Sequence, residues 1–410
     1  MPLPVGSMRV EAGNIRVGIA QIRTEPRRIR PNTDKIIATL GQAKEQGLDL
    51  VVFPELTIPG YLSKDAFLDR SYIEQNKEAL QRIVSSTAGN KGMTVIVGFV
   101  DEDLSRLGRD SEYMRYNSAA VIQNGEIVGV VNKTHIPNYG PFDEGRYFSS
   151  PLPEQGEVFN IAGKQVGIQI CEDLWQEKPD VTAELTKKGS EIIVNLSASP
   201  FSIDWDQERA KRLEEKSKPG VTVIYANAVG GQEHIVFDGQ SMVYSNGALV
   251  KKGKAFEEQF IVYDAAIDNQ KIVETRMSEE EQIYRASLLG IKDYFGRVQE
   301  ETGIKKAVIG LSGGIDSAVA AALTVKALGK ENVIGIAMPS QNSSPDSIVD
   351  AKQLADNLGI EFRVIPINEI YNAHLAIYSN PSDLTKQNLQ ARARGTILMG
   401  HSKEEKALVI

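Results

Sequence analysis

A glycine-rich turn, Ser312-Gly313-Gly314-Ile315-Asp316-Ser317, constrains the fold of this chain more than any other segment. The apolar run at 305–311 before it predicts a strand, and the alanine-rich run at 318–328 after it predicts a helix. The backbone N–H groups of such a junction, reinforced by the helix dipole, suit phosphate or pyrophosphate. Because Asp316 would repel a bare phosphate, we expect it to hold Mg²⁺ beside one. The turn therefore predicts a nucleotide site.

Two other interpretations of this turn stay open. A Gly-Gly pair between a strand and a helix is often only a tight connection. The run Gly310-Leu311-Ser312-Gly313-Gly314 also fits the nucleophile elbow of serine hydrolases, although only His374 and His401 follow it, in no evident motif. The lysine of a Walker phosphate loop is missing, which excludes a Walker-type ATPase.

Length and composition indicate an ordinary globular protein of two domains. The chain has 410 residues, 41% hydrophobic and 24% charged, and a net charge of −8, which argues against a general nucleic-acid binder. One cysteine and four histidines in unrelated segments provide neither a disulfide framework nor a zinc-site spacing. No apolar run approaches the ~20 residues that span a membrane. We therefore expect a cytoplasmic protein that binds neither nucleic acid nor membrane.

The first part of the chain, 15–264, alternates between strand-like and helix-like segments. Asn124-Gly125 and Asn246-Gly247 lie between apolar runs and predict hairpins. We predict mixed sheets with helices outside, in a sandwich of two such layers. The predicted strands are 15–20, 49–53, 94–100, 165–170, 191–196 and 222–225, and the predicted helices are 33–46 and 73–84.

A polar, acidic segment at 264–281 predicts a linker, which leads into a helix with Ile283, Ser287, Ile291 and Phe295 on one face. The alternation that follows is typical of a parallel, doubly wound sheet whose ligand lies at the carboxyl ends of the strands. Its segments are 305–311, 316–328, 332–338, 344–358 and 361–366. A last strand begins at 407–410, and we expect this second domain, with three or four strands, to be incomplete.

A second chemical centre is predicted around the only cysteine, Cys171, which directly follows the strand 165–170. From position alone, a lone cysteine is more often a buried structural thiol. Two other groups also follow predicted strands: Glu55, in Phe53-Pro54-Glu55-Leu56, and Lys133, in Asn132-Lys133-Thr134. A carboxylate can take the thiol proton and return it to a leaving amine, and an ammonium can stabilise an oxyanion. The trio would attack an amide without a histidine.

These three segments resemble the Glu–Lys–Cys signature of the nitrilase, or carbon–nitrogen hydrolase, superfamily. Together with 310–317, they make the chain similar to the glutamine-dependent NAD⁺ synthetase family, and the resemblance extends over 15–399. Each half alone is ambiguous, because nitrilase-type amidases occur by themselves and the glycine-rich turn also marks other ATP pyrophosphatases. The pairing is specific.

The resemblance implies an α/β protein with four parts. These are a leader, an upstream start or an expression remnant (1–13), an α-β-β-α sandwich of nitrilase type that acts as glutaminase (14–264), a linker (265–283), and a doubly wound, Rossmann-like ATP pyrophosphatase domain (284–410). Glutamine hydrolysis would supply ammonia through an internal channel. ATP with Mg²⁺ would adenylate deamido-NAD⁺, and ammonia would displace AMP to give NAD⁺. No tightly bound organic cofactor is implied, and a homo-oligomer is expected.

The family pattern also implies roles for individual residues. Glu55 is the proton acceptor, Lys133 the oxyanion partner and Cys171 the nucleophile. Asp316 is a Mg²⁺ ligand. The remaining assignments are glutamine binding by Tyr139, Glu172 and Ser199; ATP binding by Gly310, Leu311, Ser312, Gly313, Gly314, Ile315, Asp316 and Ser317; and binding of ATP or deamido-NAD⁺ by Asn388, Arg392 and Arg394.

Two departures from the family pattern limit these implications. Family members usually carry a basic residue a few positions after the step that corresponds to Ser199-Pro200, where it helps to hold glutamine. Here the run Phe201–Trp205 contains no basic residue, and Arg209 is the nearest cation that could substitute for it. The family also continues past Ile410, so we expect glutamine hydrolysis with little or no NAD⁺ formation. Two alternatives remain: a stand-alone amidase with a non-functional nucleotide domain, and a non-catalytic binding protein.

Overall fold

The computed structural model describes residues 14–90, 92–107, 113–151, 156–273 and 276–410. The leader expected at 1–13 lies outside the described residues. The chain divides into two compact units, Met1–Glu279 and Glu280–Ile410. The division falls inside the predicted linker, whose last residues already belong to a helix. Within the described residues, no helix is both long and apolar enough to cross a membrane.

The first sheet of unit 1 has six strands in the order β14–β1–β2–β3–β4–β5. Strands β1, β2 and β3 run parallel, and the other neighbours pair antiparallel. Strands β1 and β2 and the first part of β3, residues 94–100, are almost wholly buried, as expected for a sheet covered on both faces. The strands are β1 (Arg16–Gln21), β2 (Leu50–Val52), β3 (Thr94–Leu107), β4 (Tyr113–Gln123), β5 (Glu126–Asn132) and β14 (Gln259–Asp264).

The second sheet also has six strands, in the order β13–β12–β9–β8–β7–β6. Its centre is the parallel set β7, β8 and β9, whose carboxyl ends lie side by side. A separate ribbon pairs β10 (Val229–Gln232) with β11 (Ile235–Asp238). The strands of the sheet are β6 (Val158–Ile161), β7 (Lys164–Ile170), β8 (Ile192–Ser197), β9 (Thr222–Asn227), β12 (Met242–Ser245) and β13 (Ala248–Lys252).

The two sheets pack face to face, with helices on the outer faces. One apolar core lies between the sheets, where Val17 and Ile96 of the first sheet join Ile168 and Val194 of the second. Outside the first sheet lie α1 (Ile29–Glu45) and α2 (Arg70–Thr87), and outside the second lie α3 (Val181–Lys187) and α4 (Trp205–Lys216). This confirms the predicted α-β-β-α sandwich.

Both predicted hairpins are confirmed. Asn124-Gly125 joins β4 to β5, and Asn246-Gly247 joins β12 to β13. All four turn residues have positive φ, between 47° and 85°. This is the requirement of a type I′ turn, which asparagine and glycine meet at the lowest steric cost. The first hairpin matters for the site because it delivers the chain to Lys133.

Unit 2 has one parallel sheet in the order β17–β16–β15–β18. One apolar core lies on the α8 and α9 side and another on the α6 and α7 side, which confirms the doubly wound arrangement. Its elements are α5 (Glu279–Thr302), β15 (Lys306–Gly310), α6 (Ile315–Leu328), β16 (Val333–Ala337), α7 (Pro345–Leu358), β17 (Glu361–Val364), α8 (Asn368–Leu375), α9 (Asp383–Glu404) and β18 (Ala407–Val409).

Helix α5 differs from its prediction. Ile283 was expected on the same helical face as Phe295, yet 47% of Ile283 is exposed, and the buried positions near it are Gln282 and Ala286. Periodicity identifies a face by hydrophobicity alone. Here the packed face includes small and polar side chains, so the apolar spacing indicated the wrong side of the first turns.

Candidate functional site

Cys171 lies where β7 ends and a short 3₁₀ turn, Cys171–Leu174, begins. Its φ is +45°, in the left-handed region that non-glycine residues seldom occupy. Such a backbone persists only where the surrounding structure holds it, and it is frequent at reactive sites. The residue is only 7% exposed and its thiol is free. The turn thus holds a reduced sulfur atom at the carboxyl edge of the second sheet.

Glu55 follows β2 and lies at the facing edge of the first sheet. Its side chain is completely buried, and its two oxygens accept three hydrogen bonds. Asn117 Nδ2 and Lys133 Nζ donate to Oε1, each at 2.7 Å, and the backbone N–H of Ala198 donates to Oε2 at 2.9 Å. Ala198 follows β8 of the second sheet, so this carboxylate is bonded across the sandwich.

Lys133 follows β5, where its own N–H donates to the Asn117 carbonyl at 2.8 Å. Its ammonium is buried and lies between two carboxylates, 2.7 Å from Glu55 Oε1 and 2.7 Å from Glu144 Oε1. A buried ammonium is tolerated only when it is paired in this way. The structure therefore brings Glu55 and Lys133 into direct contact.

Glu144 completes the cluster and was missed by the sequence analysis. It lies in a 3₁₀ turn, Glu144–Arg146, and is buried. The Tyr61 hydroxyl donates to its Oε1 at 2.5 Å, and Asn117 Nδ2 lies 3.2 Å from its Oε2. In the sequence Glu144 is one acid beside another, Asp143, in a loop, and no local pattern distinguishes it from an ordinary exposed acid.

The glycine-rich turn in unit 2 joins β15 to α6 as predicted. Gly313 has a φ of +80°, and a Cβ there would lie 2.5 Å from the Ser347 carbonyl oxygen. The two serines brace the turn, because Ser317 Oγ donates to the Gly314 carbonyl and accepts from the Ser312 N–H. The turn therefore requires glycine at 313 and presents its N–H groups at the start of a helix.

A cavity of about 450 Å³ lies beside this turn. Arg394 of α9 reaches it and is held by donating Nε to the Met338 carbonyl at 3.1 Å. Asn388, Arg392 and Asp316 are exposed and are not among its lining residues. The structure thus brings Arg394, but not Asn388 or Arg392, to the turn. The cavity is lined by Gly310, Leu311, Ser312, Ala337, Met338, Pro339, Ser343, Ser347, Ile348, Arg394 and Leu398.

Comparisons with known proteins agree with both units. The carbon–nitrogen hydrolase family model matches 16–277, and the NAD synthase family model matches 287–410. The glutamine-dependent NAD⁺ synthetase of Thermotoga maritima is 37% identical, over 97% of this chain and 73% of the relative. This chain belongs to the glutamine-dependent NAD⁺ synthetase family. The glutamine-dependent NAD⁺ synthetase of Aquifex aeolicus is 34% identical, over 97% of this chain and 74% of the relative.

Solved structures of NAD⁺ synthetases have the same fold as this chain. The Acinetobacter baumannii glutamine-dependent NAD⁺ synthetase in complex with ADP superposes with a TM-score of 0.86 at 34% identity, and covers 97% of this chain and 74% of that one. An amidase of Nesterenkonia sp. from the nitrilase superfamily is 22% identical, with a TM-score of 0.53 over 63% of this chain. The latter likeness shows the fold alone.

The electrostatics of the cluster around Cys171 follow from burial. Burial raises the pKa of the Cys171 thiol well above its ordinary value, and the Glu55 charge raises it further. Burial likewise raises the pKa of Glu55, with Lys133 opposing and Glu144 adding to the shift. For Lys133, burial alone would lower the pKa, but Glu144 and Glu55 reverse this and raise it well above normal. The resting cluster thus pairs a neutral thiol with a fixed ammonium.

The residues expected to hold glutamine form two hydrogen-bonded pairs. Tyr139 is 53% exposed and donates its hydroxyl to Glu172 Oε2 at 2.7 Å. Ser199, next to Ala198, accepts a hydrogen bond from Trp205 Nε1 at 3.1 Å. Tyr139 is thus not packed in the core. The structure attaches both pairs to the strand ends that carry Cys171 and Ala198.

The structure does not support Arg209 as a substitute for the missing basic residue after Ser199-Pro200. Its guanidinium is fully buried and pairs with Asp238 at 2.5 Å, and its Nε lies 3.4 Å from the Trp205 carbonyl. A cation committed to a buried carboxylate leaves little charge for a substrate. Instead Trp205 stands beside Ser199, with its ring stacked on Trp175 at a centroid distance of 5.0 Å.

Proposed function

We propose that unit 1 hydrolyses L-glutamine through a thioester on Cys171. The observation that carries this proposal is the buried Glu55–Lys133–Glu144 cluster, to which Cys171 is electrostatically coupled. The Cys171 sulfur attacks the side-chain amide carbon, and the C–N bond breaks to release ammonia. Water then attacks the thioester carbon, releasing glutamate and restoring the thiol.

Glu55 moves the protons in this scheme. Because burial keeps the pKa of Cys171 high, the thiol loses its proton only as the sulfur attacks, to a base held beside it. The raised pKa of Glu55 makes it a better base than an exposed carboxylate and a competent acid once protonated. The same proton then passes to the leaving nitrogen, and in the second half Glu55 takes a proton from water.

Lys133 is proposed to stabilise the oxyanion of the tetrahedral intermediate. Glu55 and Glu144 hold its ammonium in place, so little reorganisation is needed when negative charge develops. Tyr61 and Asn117, in turn, position Glu144. Tyr139, Glu172 and Ser199 are proposed to hold glutamine, Glu172 being the group suited to an α-ammonium.

Unit 2 is proposed to adenylate the nicotinate carboxylate of deamido-NAD⁺. The carboxylate oxygen attacks the α-phosphorus of ATP and pyrophosphate leaves; ammonia then displaces AMP, loses a proton and forms the amide of NAD⁺. The 310–317 turn offers N–H groups and hydroxyls for pyrophosphate, and Arg394 a fixed cation. We propose the boundaries 14–264 for the glutaminase, 265–283 for the linker and 284–410 for the synthetase, and a homo-oligomeric assembly.

Magnesium is implied by the family, and the residues present fit it in part. The Asp316 carboxylate and the Ser312 and Ser317 hydroxyls are oxygen donors of the kind Mg²⁺ prefers. Among the described residues no group of three His, Cys, Asp or Glu side chains could form a metal cage. Asp316 would therefore hold the ion together with the nucleotide's phosphates, and the ion would neutralise charge on the leaving pyrophosphate.

The proposal is tested by measuring ammonia release from glutamine with the unmodified chain and with Cys171→Ala. We expect release only from the unmodified chain, while the denaturant unfolding curve is the same for both and shows that the variant is folded. Release that persists in Cys171→Ala would contradict the assignment. A response of glutamine turnover to ATP and deamido-NAD⁺ distinguishes a synthetase from a stand-alone amidase.

A further inference from the structure

Asp173 lies two residues after Cys171, on the same 3₁₀ turn, and is buried. Its carboxylate accepts three backbone hydrogen bonds. Oδ1 accepts from the N–H groups of Thr134 at 3.0 Å and His135 at 2.8 Å, and Oδ2 accepts from the N–H of Ile170 at 3.1 Å. The chemistry proposed above uses no atom of Asp173.

The positions of these three N–H groups are informative. Thr134 and His135 directly follow Lys133 at the end of β5, and Ile170 directly precedes Cys171 at the end of β7. These strands belong to different sheets of the sandwich. One carboxylate therefore joins the segment that carries the ammonium to the segment that carries the nucleophile.

The charge on Asp173 makes this junction strong. Burial raises its pKa to about 6, while the N–H groups of His135 and Ile170 and the charges of Lys133 and His135 act against the rise. Besides Lys133 and His135, the titratable neighbours on its own turn are Cys171 and Glu172. At neutral pH the group is mostly ionised, and hydrogen bonds to an ionised acceptor are about twice as strong as neutral ones. An isosteric amide has one accepting oxygen and one donating nitrogen, so it cannot serve both strand ends.

We infer that Asp173 is a positioning residue that sets the separation of Cys171 and Lys133 by holding the N–H groups of Ile170, Thr134 and His135. The inference rests on the glutaminase function proposed for these two residues. The left-handed backbone of Cys171 is held in place by this carboxylate from one side and by the ladder of β7 from the other. Displacement of reacting groups by about 1 Å can lower a rate about 100-fold.

The test compares Asp173→Asn with Asp180→Asn in the full chain. Asp180 is a matched control, because its carboxylate also accepts a backbone N–H, from Ala183, but at the start of α3. Glutamine hydrolysis is measured per competent site, counted by covalent labelling of Cys171 with an electrophilic glutamine analogue. For Asp173→Asn we expect kcat per labelled site to fall about 100-fold with KM nearly unchanged, and for Asp180→Asn both constants to stay close to those of the unmodified chain. Equal kcat per labelled site in the two variants would overturn the inference.

A second measurement uses only the unmodified chain, so it depends neither on catalytic turnover nor on whether a variant folds. In the unmodified chain, hydrogen exchange resolved by mass spectrometry should show the amides of Thr134 and His135 protected although they lie outside β5. Exchange as fast as in a free loop would overturn the inference. Absence of glutamine hydrolysis in the unmodified chain would refute the proposed function instead, and protection at these two amides would still decide whether Asp173 joins the strand ends.

Discussion

The two chemical sites of this chain are built in opposite ways. Around Cys171 the charged groups are buried and bonded to one another, so that Lys133 is held by two carboxylates and Glu55 by three donors. Around the 310–317 turn the serines and Asp316 are accessible, and the binding groups are backbone N–H, hydroxyls and a single arginine. The first site suits an uncharged amide group that must be desolvated, and the second suits a large polyanion that arrives with its own charge.

This contrast predicts different consequences of substitution. In a buried charge cluster, each member stabilises the others, so loss of one member affects both folding and chemistry. In an open turn, the backbone conformation carries the function, so side-chain charge matters less than the geometry of the main chain.

Lys133→Met tests the contrast with the largest expected effect. It leaves Glu55 and Glu144 buried without their ammonium, so the free energy of unfolding should fall by about 3–5 kcal/mol and glutamine hydrolysis should be abolished. Denaturant unfolding measures the first and ammonia release the second. The control Lys187→Met removes an exposed partner of Glu184 on α3 and should change the stability by no more than about 0.5 kcal/mol. Similar unfolding midpoints for the two variants would show that the buried cluster does not stabilise unit 1.

Gly313→Ala addresses the open turn. The new Cβ would meet the Ser347 carbonyl at 2.5 Å on a backbone with a φ of +80°. Strain of this kind costs on the order of 1–3 kcal/mol, so ATP binding measured by calorimetry should weaken by about tenfold or more. Gly400→Ala is the control, because a Cβ at that position in α9 meets nothing within 4 Å. Unchanged ATP affinity in Gly313→Ala would remove the turn from the nucleotide site.

The smallest effect is a shift of a pH profile. Glutamine hydrolysis should be lost as the pH falls through the pKa of Glu55, which lies above its ordinary value because of burial and because of the Glu144 charge. In Glu144→Gln that charge is gone, so the pKa of Glu55 falls and the acid limb moves to lower pH. Glu184→Gln, on the surface of α3, should leave the limb in place. A limb that moves to higher pH in Glu144→Gln would mean that another group controls it.

The contrast also explains which parts of the site were predictable from sequence. Lys133 and Cys171 directly follow strands, and Glu55 comes shortly after β2. Because reacting groups in α/β proteins tend to follow strand ends, these three residues could be inferred from local pattern and family resemblance, although they come from two different sheets. Glu144 comes from a loop turn with no periodicity, and its role depends on contacts with Tyr61 and Lys133 that only the folded chain supplies.

The fold itself was largely predictable because its elements agree with their local sequence signals. Buried β-branched runs and Asn-Gly turns specify strands and hairpins directly. The packed face of α5 was not predictable, because Gln282 and Ala286 are buried in place of Ile283. The pairing of Arg209 with Asp238 was likewise invisible, since the two lie on separate elements.

Direct observation of the acyl intermediate tests the central claim most sharply. The unmodified chain is mixed with excess glutamine and quenched in acid during turnover. It is then digested, and the masses of its peptides are measured by mass spectrometry. We predict a γ-glutamyl thioester on the peptide that contains Cys171, lost on treatment with hydroxylamine. Ammonia release with no adduct on that peptide, or with an adduct elsewhere, would contradict the account.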